Sequence, residues 1–151
     1  MISTVTIDDI ATAELIAAKA IRTSVALNET EIAELLQHIS QNFERWKTNP
    51  DQSLFLKYTQ EGEVIGVILV KDFWNLSDIY VLPKHYRKGI GRQLTEKALE
   101  ICAQKSPKNH VRTNSSPNAV GFYNSQGFQE MEWDKELPYG CVPFIYHFDE
   151  N

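Results

Sequence analysis

The sequence lacks most of the features that mark secreted, membrane and metal-binding proteins. Only two cysteines, Cys102 and Cys141, occur in 151 residues, and they form neither a Cys-x-x-Cys pair nor a cluster with histidine, so a disulfide framework and a zinc site are excluded. No apolar run approaches the roughly 20 residues of a membrane helix. The N-terminus has no basic region followed by an apolar core, as a signal peptide has. We therefore expect a cytoplasmic protein with no metal and no membrane contact.

Basic residues are also in short supply. The 15 Lys and Arg are outnumbered by 20 Asp and Glu, which gives a formal net charge of -5. Nucleic-acid binding depends on a broad basic surface that neutralises phosphates, so we expect no nucleic-acid partner, and a cationic partner suits the protein better. With 42% hydrophobic residues, the chain can bury on the order of 70% of its unfolded surface. We expect one domain spanning residues 1–151.

The one strongly basic stretch is a glycine-containing turn between a predicted strand and a predicted helix. Residues 84–92, K-H-Y-R-K-G-I-G-R, carry four positive charges and no acid. A helix N-terminus leaves backbone N–H groups unpaired and partly positive, and Gly89 and Gly91 let a large ligand approach the main chain. The pattern indicates a seat for phosphate or pyrophosphate. From these residues alone, a tight turn with a solvated basic face is the alternative.

Two common phosphate loops do not match this turn. A nucleoside-triphosphate loop needs G-x-x-x-x-G-K-[ST], which is absent, and a dinucleotide fingerprint needs a third glycine where the chain has Leu94. The stretch instead resembles the [QR]-x-x-G-x-[GA] pattern of the GNAT superfamily of N-acetyltransferases, including the V-x-P that ends the preceding strand. It departs from the pattern at Tyr86, which stands where the family has Gln or Arg.

Residues 116–128, S-P-N-A-V-G-F-Y-N-S-Q-G-F, resemble the second acetyltransferase motif, N-x-x-A-x-x-x-Y-x-x-x-G-F. Ala119, Tyr123, Gly127 and Phe128 are kept. Ser116 replaces the Asn of many members, as it does in a branch of small members that read A-S-x-x-A-x-x-F-Y. Aromatic residues at a helix end usually belong to a core, so this motif alone is weak evidence. Two motifs in the family's order and spacing are more specific, and the sequence is identified as a GNAT superfamily member.

The order of the predicted elements agrees with this resemblance. Strands are predicted at residues 3–7, 53–59, 64–71, 76–82, 110–114, 128–133 and 143–148. Helices are predicted from residue 10, after the capping-box spacing Asn28 to Glu31, from 90 to about 104, and from Ser116 through Tyr123, with a loop at 43–52. The resemblance implies an α/β (α+β) fold with a mixed, mostly antiparallel sheet of six to seven strands, about four flanking helices and a splayed parallel strand pair.

The resemblance implies acetyl-CoA as cosubstrate, held between the central strand and the strand at 110–114. The amides of Ile79 and Val81 would bind the pantetheine arm as an added strand, and the amides from Arg87 to Arg92 would bind the pyrophosphate. The full set of implied cofactor-binding residues is Ile79, Tyr80, Val81, Arg87, Lys88, Gly89, Ile90, Gly91, Arg92, Asn114, Ser116, Asn118 and Tyr123.

The implied reaction is direct attack of an amine on the thioester through a tetrahedral oxyanion. A main-chain N–H near Tyr80 would bind the oxyanion, and Tyr123, whose phenol has an ordinary pKa of about 10, would protonate the departing thiolate. The alternative is that Tyr123 is only a buried ring with a satisfied hydroxyl. An alkylammonium must lose a proton before it can attack, so a base or a water chain is required. Asp78 is the candidate for ordering such a water, and Asp72 and Glu130 are the next candidates.

In this family the acceptor pocket lies between the first two helices and the last hairpin. Those regions supply Trp46, Trp74, Trp133, Tyr139, Glu130, Glu132, Asp134 and Glu136. We expect the acceptor to be a small cationic amine or a lysine side chain; an acidic, solvated loop is the alternative reading. Exposed strand edges would permit a homodimer. Two other functions stay open, a non-catalytic acyl-CoA-binding sensor or scaffold and a nucleotide-binding regulator.

Overall fold

The computed structural model describes residues 1–24 and 26–149 and contains one seven-stranded sheet with the order β1-β2-β3-β4-β5-β7-β6. The strands are β1 (Ile2–Thr4), β2 (Leu54–Gln60), β3 (Glu63–Lys71), β4 (Asn75–Val81), β5 (His110–Ser115), β6 (Gln129–Glu130) and β7 (Val142–His147). The helices are α1 (Ile10–Ser24), α2 (Glu29–Thr48), α3 (Ile90–Lys105) and α4 (Val120–Ser125). Of the described strand pairs, β4–β5 alone is parallel, so the predicted mixed sheet with four helices is confirmed.

The sheet is covered on both faces because side chains alternate along its strands. Phe55, Val67 and Leu69 pack under α1 and α2. Their sequence neighbours, such as Leu56 and Ile68, pack under α3 and α4. The crossover from β4 through α3 to β5 therefore lies on the second face and carries the chain to the neighbouring parallel strand.

Helix α2 begins at the predicted capping box. The side chain of Asn28 accepts a hydrogen bond from the Glu31 amide at 2.8 Å, and the Glu31 carboxylate accepts one from the Asn28 amide at 3.1 Å. These two bonds satisfy amides that a helix start leaves unpaired.

The predicted loop at 43–52 is wrong at its start, since α2 continues to Thr48. Phe43 and Trp46 extend the apolar stripe by one more turn, and both are buried. The Trp46 ring lies edge-on to Phe55 with 5.1 Å between centroids. Burial of these two large aromatic side chains stabilises the last turn of α2. This effect outweighs the unfavourable helix propensity of the polar residues around them. The following Asn49-Pro50 then ends the helix.

The strand predicted at 128–133 is much shorter in the structure, where β6 spans two residues. Phe128 turns into the core, and Met131 makes the last backbone bond of this segment to Pro143 at 2.9 Å. β7 lies between β5 and β6, so β6 is an edge strand. None of the helices in the described part of the chain has the length and apolar content to cross a membrane.

Candidate functional site

The two edges of β4 are paired to very different extents. On one edge β4 pairs with β3 at six positions between Asn75 and Val81. On the other it pairs with β5 at only two positions, Asn75 with Arg112 and Leu76 with Thr113. The Thr113 hydroxyl donates to the Leu76 carbonyl at 2.9 Å and fixes this last rung. Beyond it the two strands separate, as predicted for the splayed pair.

The amides of Ile79 and Val81 face this opening. The Leu82 amide donates to the Ile65 carbonyl at 2.9 Å, so Leu82 and Tyr80 direct their backbone groups toward β3. Backbone groups alternate in direction along a strand. Ile79 and Val81 therefore direct theirs away from β3, where a ligand can pair with them as a strand does.

The basic turn holds a concave set of backbone amides. Arg87 and Gly89 both have left-handed backbone angles, with φ of 65° and 77°, and α3 begins directly afterwards at Ile90. The first backbone bond of this helix runs from the Gln93 amide to the Gly89 carbonyl at 3.0 Å. Within residues 1–24 and 26–149, no group accepts a hydrogen bond from the amides of residues 87–92. Such a set of free donors at a helix start is suited to an anion.

A cavity of about 740 Å³ joins the open strand edge to this turn. Most of the predicted cofactor-binding residues line it, namely Ile79, Tyr80, Val81, Arg87, Gly89, Ile90, Gly91, Arg92, Ser116 and Asn118. Lys88, Asn114 and Tyr123 are not among the lining residues. The remaining wall comes from residues that were not among the predicted cofactor-binding residues, namely Ala20, Ile21, Ser24, His85, Tyr86, Ala119, Phe122, Ser125 and Gln126.

The end of α1 is tied to both motifs across this cavity. The hydroxyls of Ser24 and Tyr86 share a hydrogen bond of 2.7 Å, and the Asn118 amide group donates to the Ser24 carbonyl. Ser116 donates to the Asn118 side-chain oxygen at 2.7 Å and makes no capping bond to the backbone of the following helix. Tyr86, which replaces the family's Gln or Arg, therefore contacts α1.

His85 is a cavity residue that the sequence pattern did not single out. Its Nδ1 atom is buried and has no hydrogen-bond partner among the described residues. Its amide donates to the Leu82 carbonyl at 2.9 Å and closes the turn after β4. The only signal available in the sequence was its place inside the basic turn.

Tyr123 lies beside the last rung between β4 and β5. It is 4% exposed, and its ring packs against Phe128 and Phe144 with centroid distances of 5.4 and 5.9 Å. Burial raises the pKa of Tyr123 to about 12, although the nearby Thr113 hydroxyl opposes the rise. The phenol is therefore protonated throughout the ordinary pH range.

Asp78 is enclosed by hydrogen-bond donors on the side of the sheet that α2 covers. Its carboxylate accepts bonds from Ser77 at 2.6 Å, Tyr80 at 2.8 Å and Asn42 at 3.2 Å, and Lys71 donates to the Asn42 oxygen at 3.1 Å. Burial raises the pKa of Asp78 above its usual value, and these donors oppose the rise. Asp78 does not line the cavity, but Tyr80 does. Tyr80 thus belongs to the cavity wall and also contacts the carboxylate through its hydroxyl.

The aromatic residues expected around the acceptor occupy different environments. Trp46 lies in the core instead, at 6% exposure. Trp74 is covered by the Lys108 ammonium, 3.8 Å from its ring centroid. Trp133 is covered by the guanidinium of Arg112, 4.8 Å from its centroid, and lines a second cavity of about 360 Å³. Arg112 was not among the residues predicted for the site.

The acids expected at the acceptor pocket lie in β6 and in the segment that follows it. Glu130, Glu132, Asp134 and Glu136 are all on the surface. The Tyr139 hydroxyl donates to the Glu34 carboxylate of α2 at 3.3 Å and ties this loop to the helix. Asp72, which was placed behind Asp78, is also exposed. Among the described residues no three His, Cys, Asp or Glu side chains converge on a point suited to a metal ion.

Comparison of the sequence with known families and proteins gave consistent matches. The profile of the Acetyltransferase (GNAT) domain family matches residues 23–138. An uncharacterized N-acetyltransferase of Bacillus pumilus is 34% identical over 83 residues, which cover 53% of this chain and 48% of that protein. The match thus spans about half the length of this curated relative.

Solved structures share the fold over nearly the whole chain. The PaiA N-acetyltransferase of Thermoplasma acidophilum, in complex with coenzyme A, superimposes with a TM-score of 0.79 at 21% identity, covering 98% of each chain. YncA from Salmonella typhimurium, with its cofactor acetyl-CoA, gives a TM-score of 0.72 at 19% identity, covering 100% of this chain and 95% of that chain. At these identities the likeness establishes the fold.

Proposed function

The chain belongs to the GNAT family of acetyltransferases, and from this premise we propose that it transfers the acetyl group of acetyl-CoA to a primary amine. The observation that carries the proposal is the pair of unsatisfied backbone surfaces that face one cavity. One is the edge of β4 at Ile79 and Val81, and the other is the set of amides at residues 87–92. Backbone donors that line a cavity must be satisfied by water or by a ligand, and donors on two adjoining walls suit one ligand that pairs with both.

Acetyl-CoA fits these two surfaces by its chemistry. Its pantetheine arm has amide groups for the edge of β4, and its pyrophosphate suits the amides of the turn. Arg87, Lys88 and Arg92 would add charge-assisted hydrogen bonds. When bound, acetyl-CoA supplies the thioester that the amine attacks, so that a C–N bond forms and the C–S bond breaks.

Tyr123 is proposed to assist the departure of the thiolate. Its place beside Thr113 puts it at the apex of the opening, and its raised pKa keeps its proton in place. Because a thiol is a stronger acid than this phenol, complete proton transfer is uphill. Tyr123 therefore acts mainly as a hydrogen-bond donor to the developing negative charge on sulfur.

Asp78 is proposed to accept the proton of the amine through Tyr80 and a water molecule. The raised pKa of Asp78 suits a base that must take a proton near neutral pH. Its oxygens already accept three hydrogen bonds, so the Tyr80 hydroxyl is its link to the cavity. The oxyanion would be bound by a main-chain N–H of this strand, next to Tyr80.

The acceptor is proposed to be a small amine or a lysine side chain. The exposed acids between Glu130 and Glu136, with Glu34 of α2 opposite them, favour a cationic group approaching from this side. A cytoplasmic location, a single domain, the absence of metal, membrane and nucleic-acid partners, and a homodimer through the strand edges stay predictions.

An acceptor panel tests the proposal. Release of coenzyme A thiol from acetyl-CoA would be followed with polyamines, amino sugars and lysyl peptides, and the acetylated product identified by mass spectrometry. We expect amine-dependent thiol release with at least one cationic amine. Turnover only of amines that carry no positively charged group at neutral pH would contradict the acceptor class.

The second candidate function is an acyl-CoA-binding sensor or scaffold. The saturated hydrogen bonding of Asp78 and the burial of Tyr123 favour it, because both groups are already satisfied without chemistry. This function predicts tight binding of acetyl-CoA with no thiol release above the rate in buffer for any amine. A nucleotide-binding regulator predicts instead that ATP or NAD binds more tightly than coenzyme A does.

A further inference from the structure

The half of the sheet formed by β5 and β7 presents a face that is distinct from the cofactor cavity. Val111, Thr113 and Ser115 of β5 are buried, with Val111 in the core beneath α3 and α4. The residues between them, among them Arg112, point to the opposite face. On that face α1 packs on β3 and β4, and Arg112, beside the last rung of the β4–β5 pair, is partly exposed.

Arg112 is a partly buried cation without an acidic partner. Its guanidinium lies on the Trp133 ring at 4.8 Å, and its Nε atom is buried with no hydrogen-bond partner among the described residues. No described Asp or Glu forms an ion pair with it. A partly buried guanidinium that no described carboxylate neutralises favours pairing with an incoming anion at its accessible N–H groups.

The surroundings of Arg112 are cationic, although the whole chain is acidic. His110 lies across from His147 on the neighbouring strand, with 6.1 Å between ring centroids, and Lys108 lies on Trp74. Burial lowers the pKa of His110, and the charges of His147, Lys108 and Arg112 lower it further. Among the described residues no carboxylate contributes to this shift of the His110 pKa.

We propose that Arg112, held over the Trp133 ring, binds a carboxylate of the acceptor, which is therefore an amine that also carries an acidic group. The inference rests on the proposed function. The planar guanidinium matches a carboxylate through two parallel hydrogen bonds. Arg112 stands one residue before Thr113 at the last rung, and strands rise about 3.3 Å per residue. A carboxylate bound there lies within a short amino acid's length of the opening.

The exposed loop acids fit the other end of such an acceptor. Glu132 and Asp134 flank Trp133 and line its cavity, where they favour the approach of an ammonium group. A molecule with both charges would satisfy the acids and Arg112 together, whereas a simple polyamine would leave Arg112 unpaired.

Matched acids and amides provide the test. Four acids would each be compared with the corresponding carboxamide: lysine, ornithine, γ-aminobutyrate and β-alanine. Thiol release measures them as acceptors. The indole N–H signal of Trp133, followed by NMR, measures their binding to the coenzyme A complex. We expect at least one acid to exceed its carboxamide roughly tenfold in kcat/KM and in affinity. A hydrogen bond to a charged group contributes enough free energy for a difference of about this size.

Substitutions at Arg112 locate the effect. Arg112→Met keeps the stem on Trp133 and is expected to abolish the preference for the acid. Arg112→Lys is expected to keep part of it, because charge remains but the paired geometry is lost. The control Arg45→Met, at an exposed position of α2, is expected to preserve the preference.

The binding readout separates this inference from the proposed function. Acids that bind through Arg112 without any thiol release would support the anion site and count against the transferase. Equal binding of every acid and its amide, or a preference that survives Arg112→Met, would overturn the inference. O-Phosphoethanolamine binding through Arg112 while all the carboxylates fail would also overturn it, in favour of a phosphate ligand. If Glu132→Gln alone creates the preference, the carboxylate of Glu132 is the natural partner and the proposal is wrong.

Discussion

The two edges of β4 belong to the same residues but differ in backbone hydrogen bonding. Toward β3 the strand is paired from Asn75 to Val81, and the amide of Leu82 continues this pairing to Ile65. Toward β5 the pairing stops after Leu76. The paired edge is part of the folding core, whereas the open edge leaves backbone groups that water or a ligand must satisfy. We therefore propose the cofactor site at the edge of β4 where the pairing with β5 stops.

The side chains along the two edges follow the same division. Gly66, on the paired side, is packed so closely that an added Cβ would meet Ile90, Leu94 and the Tyr80 carbonyl at 3.2 to 3.3 Å. Gly91, at the open side, would place a Cβ 3.6 Å from Phe122, which is an ordinary contact. Substitutions at the paired edge should therefore change stability, and substitutions at the open edge should change ligand binding or rate.

The largest effect is expected from Tyr123→Phe at the apex of the open edge. Loss of the hydroxyl removes the donor to the departing sulfur, and kcat is expected to fall about 100-fold, the lower range for a general acid. Acetyl-CoA affinity and unfolding free energy should change little. Thiol release and calorimetric titration measure these quantities, with Tyr58→Phe on β2 as the matched control. An unchanged kcat would remove Tyr123 from the reaction.

Gly66→Ala and Gly91→Ala compare the two edges directly. Gly66→Ala forces neighbours apart and is expected to cost about 1–3 kcal/mol of unfolding free energy. Gly91→Ala lies in the first turn of α3 and is expected to change it by about 1 kcal/mol or less, in the stabilising direction, because alanine favours a helix. Urea unfolding measures both. If Gly66→Ala were more stable than Gly91→Ala, small movements of the side chains around Gly66 would have relieved the close packing.

The pH dependence of stability separates Asp78 from a surface carboxylate. Burial raises the folded-state pKa of Asp78 above 3.8, so its contribution to stability is fully present below that value and is lost as the pH rises through the raised pKa. Asp78→Asn should therefore gain stability relative to the parent protein as the pH rises from acidic to neutral.

Asp9 is the control of opposite sign. Its side chain is largely covered, which raises its pKa, but the hydrogen bonds from Lys57, at 2.7 Å, and from Thr6 outweigh this effect and lower the pKa below 3.8. Its stabilising contribution is present at neutral pH and is lost as the pH falls through the lowered pKa. Asp9→Asn should thus lose stability relative to the parent as the pH rises. Parallel slopes for the two variants, from urea unfolding at several pH values, would contradict both assignments.

The smallest effect is expected in the turn itself, at Arg87. Its left-handed backbone, with φ of 65°, is disfavoured by about 1 kcal/mol for a residue with a Cβ. Arg87→Gly should raise stability by up to that amount and weaken coenzyme A binding a few-fold through the lost charge. Arg87→Gln should weaken binding similarly without the gain. Thermal unfolding measures the stability, and titration with coenzyme A at two salt concentrations measures the binding. Equal stability of the two variants would contradict backbone strain at Arg87.

Features set by adjacent residues were predictable from the sequence. The capping box at Asn28, the turn around Gly89 and the separation of β4 from β5 follow from local pattern or from the family motifs. The end of α2 was missed because Trp46 is stabilised by Phe55, which follows it only after a loop. Ser24 and Tyr86 are distant in sequence, and Arg112 meets Trp133 only through β7 lying between β5 and β6. No local signal reports such contacts.

The sequence by itself determined that a strand, a basic turn and a helix start follow one another, because backbone angles and helix termini depend on neighbouring residues. It also placed Tyr123 in a second motif, which follows the first in the order and spacing of the family. Only the tertiary structure decided at which residue the β4–β5 pairing stops, which donors surround Asp78, and which aromatic ring lies against Arg112. These depend on packing between residues far apart in the chain, where burial and the supply of hydrogen-bond partners are set by the whole fold.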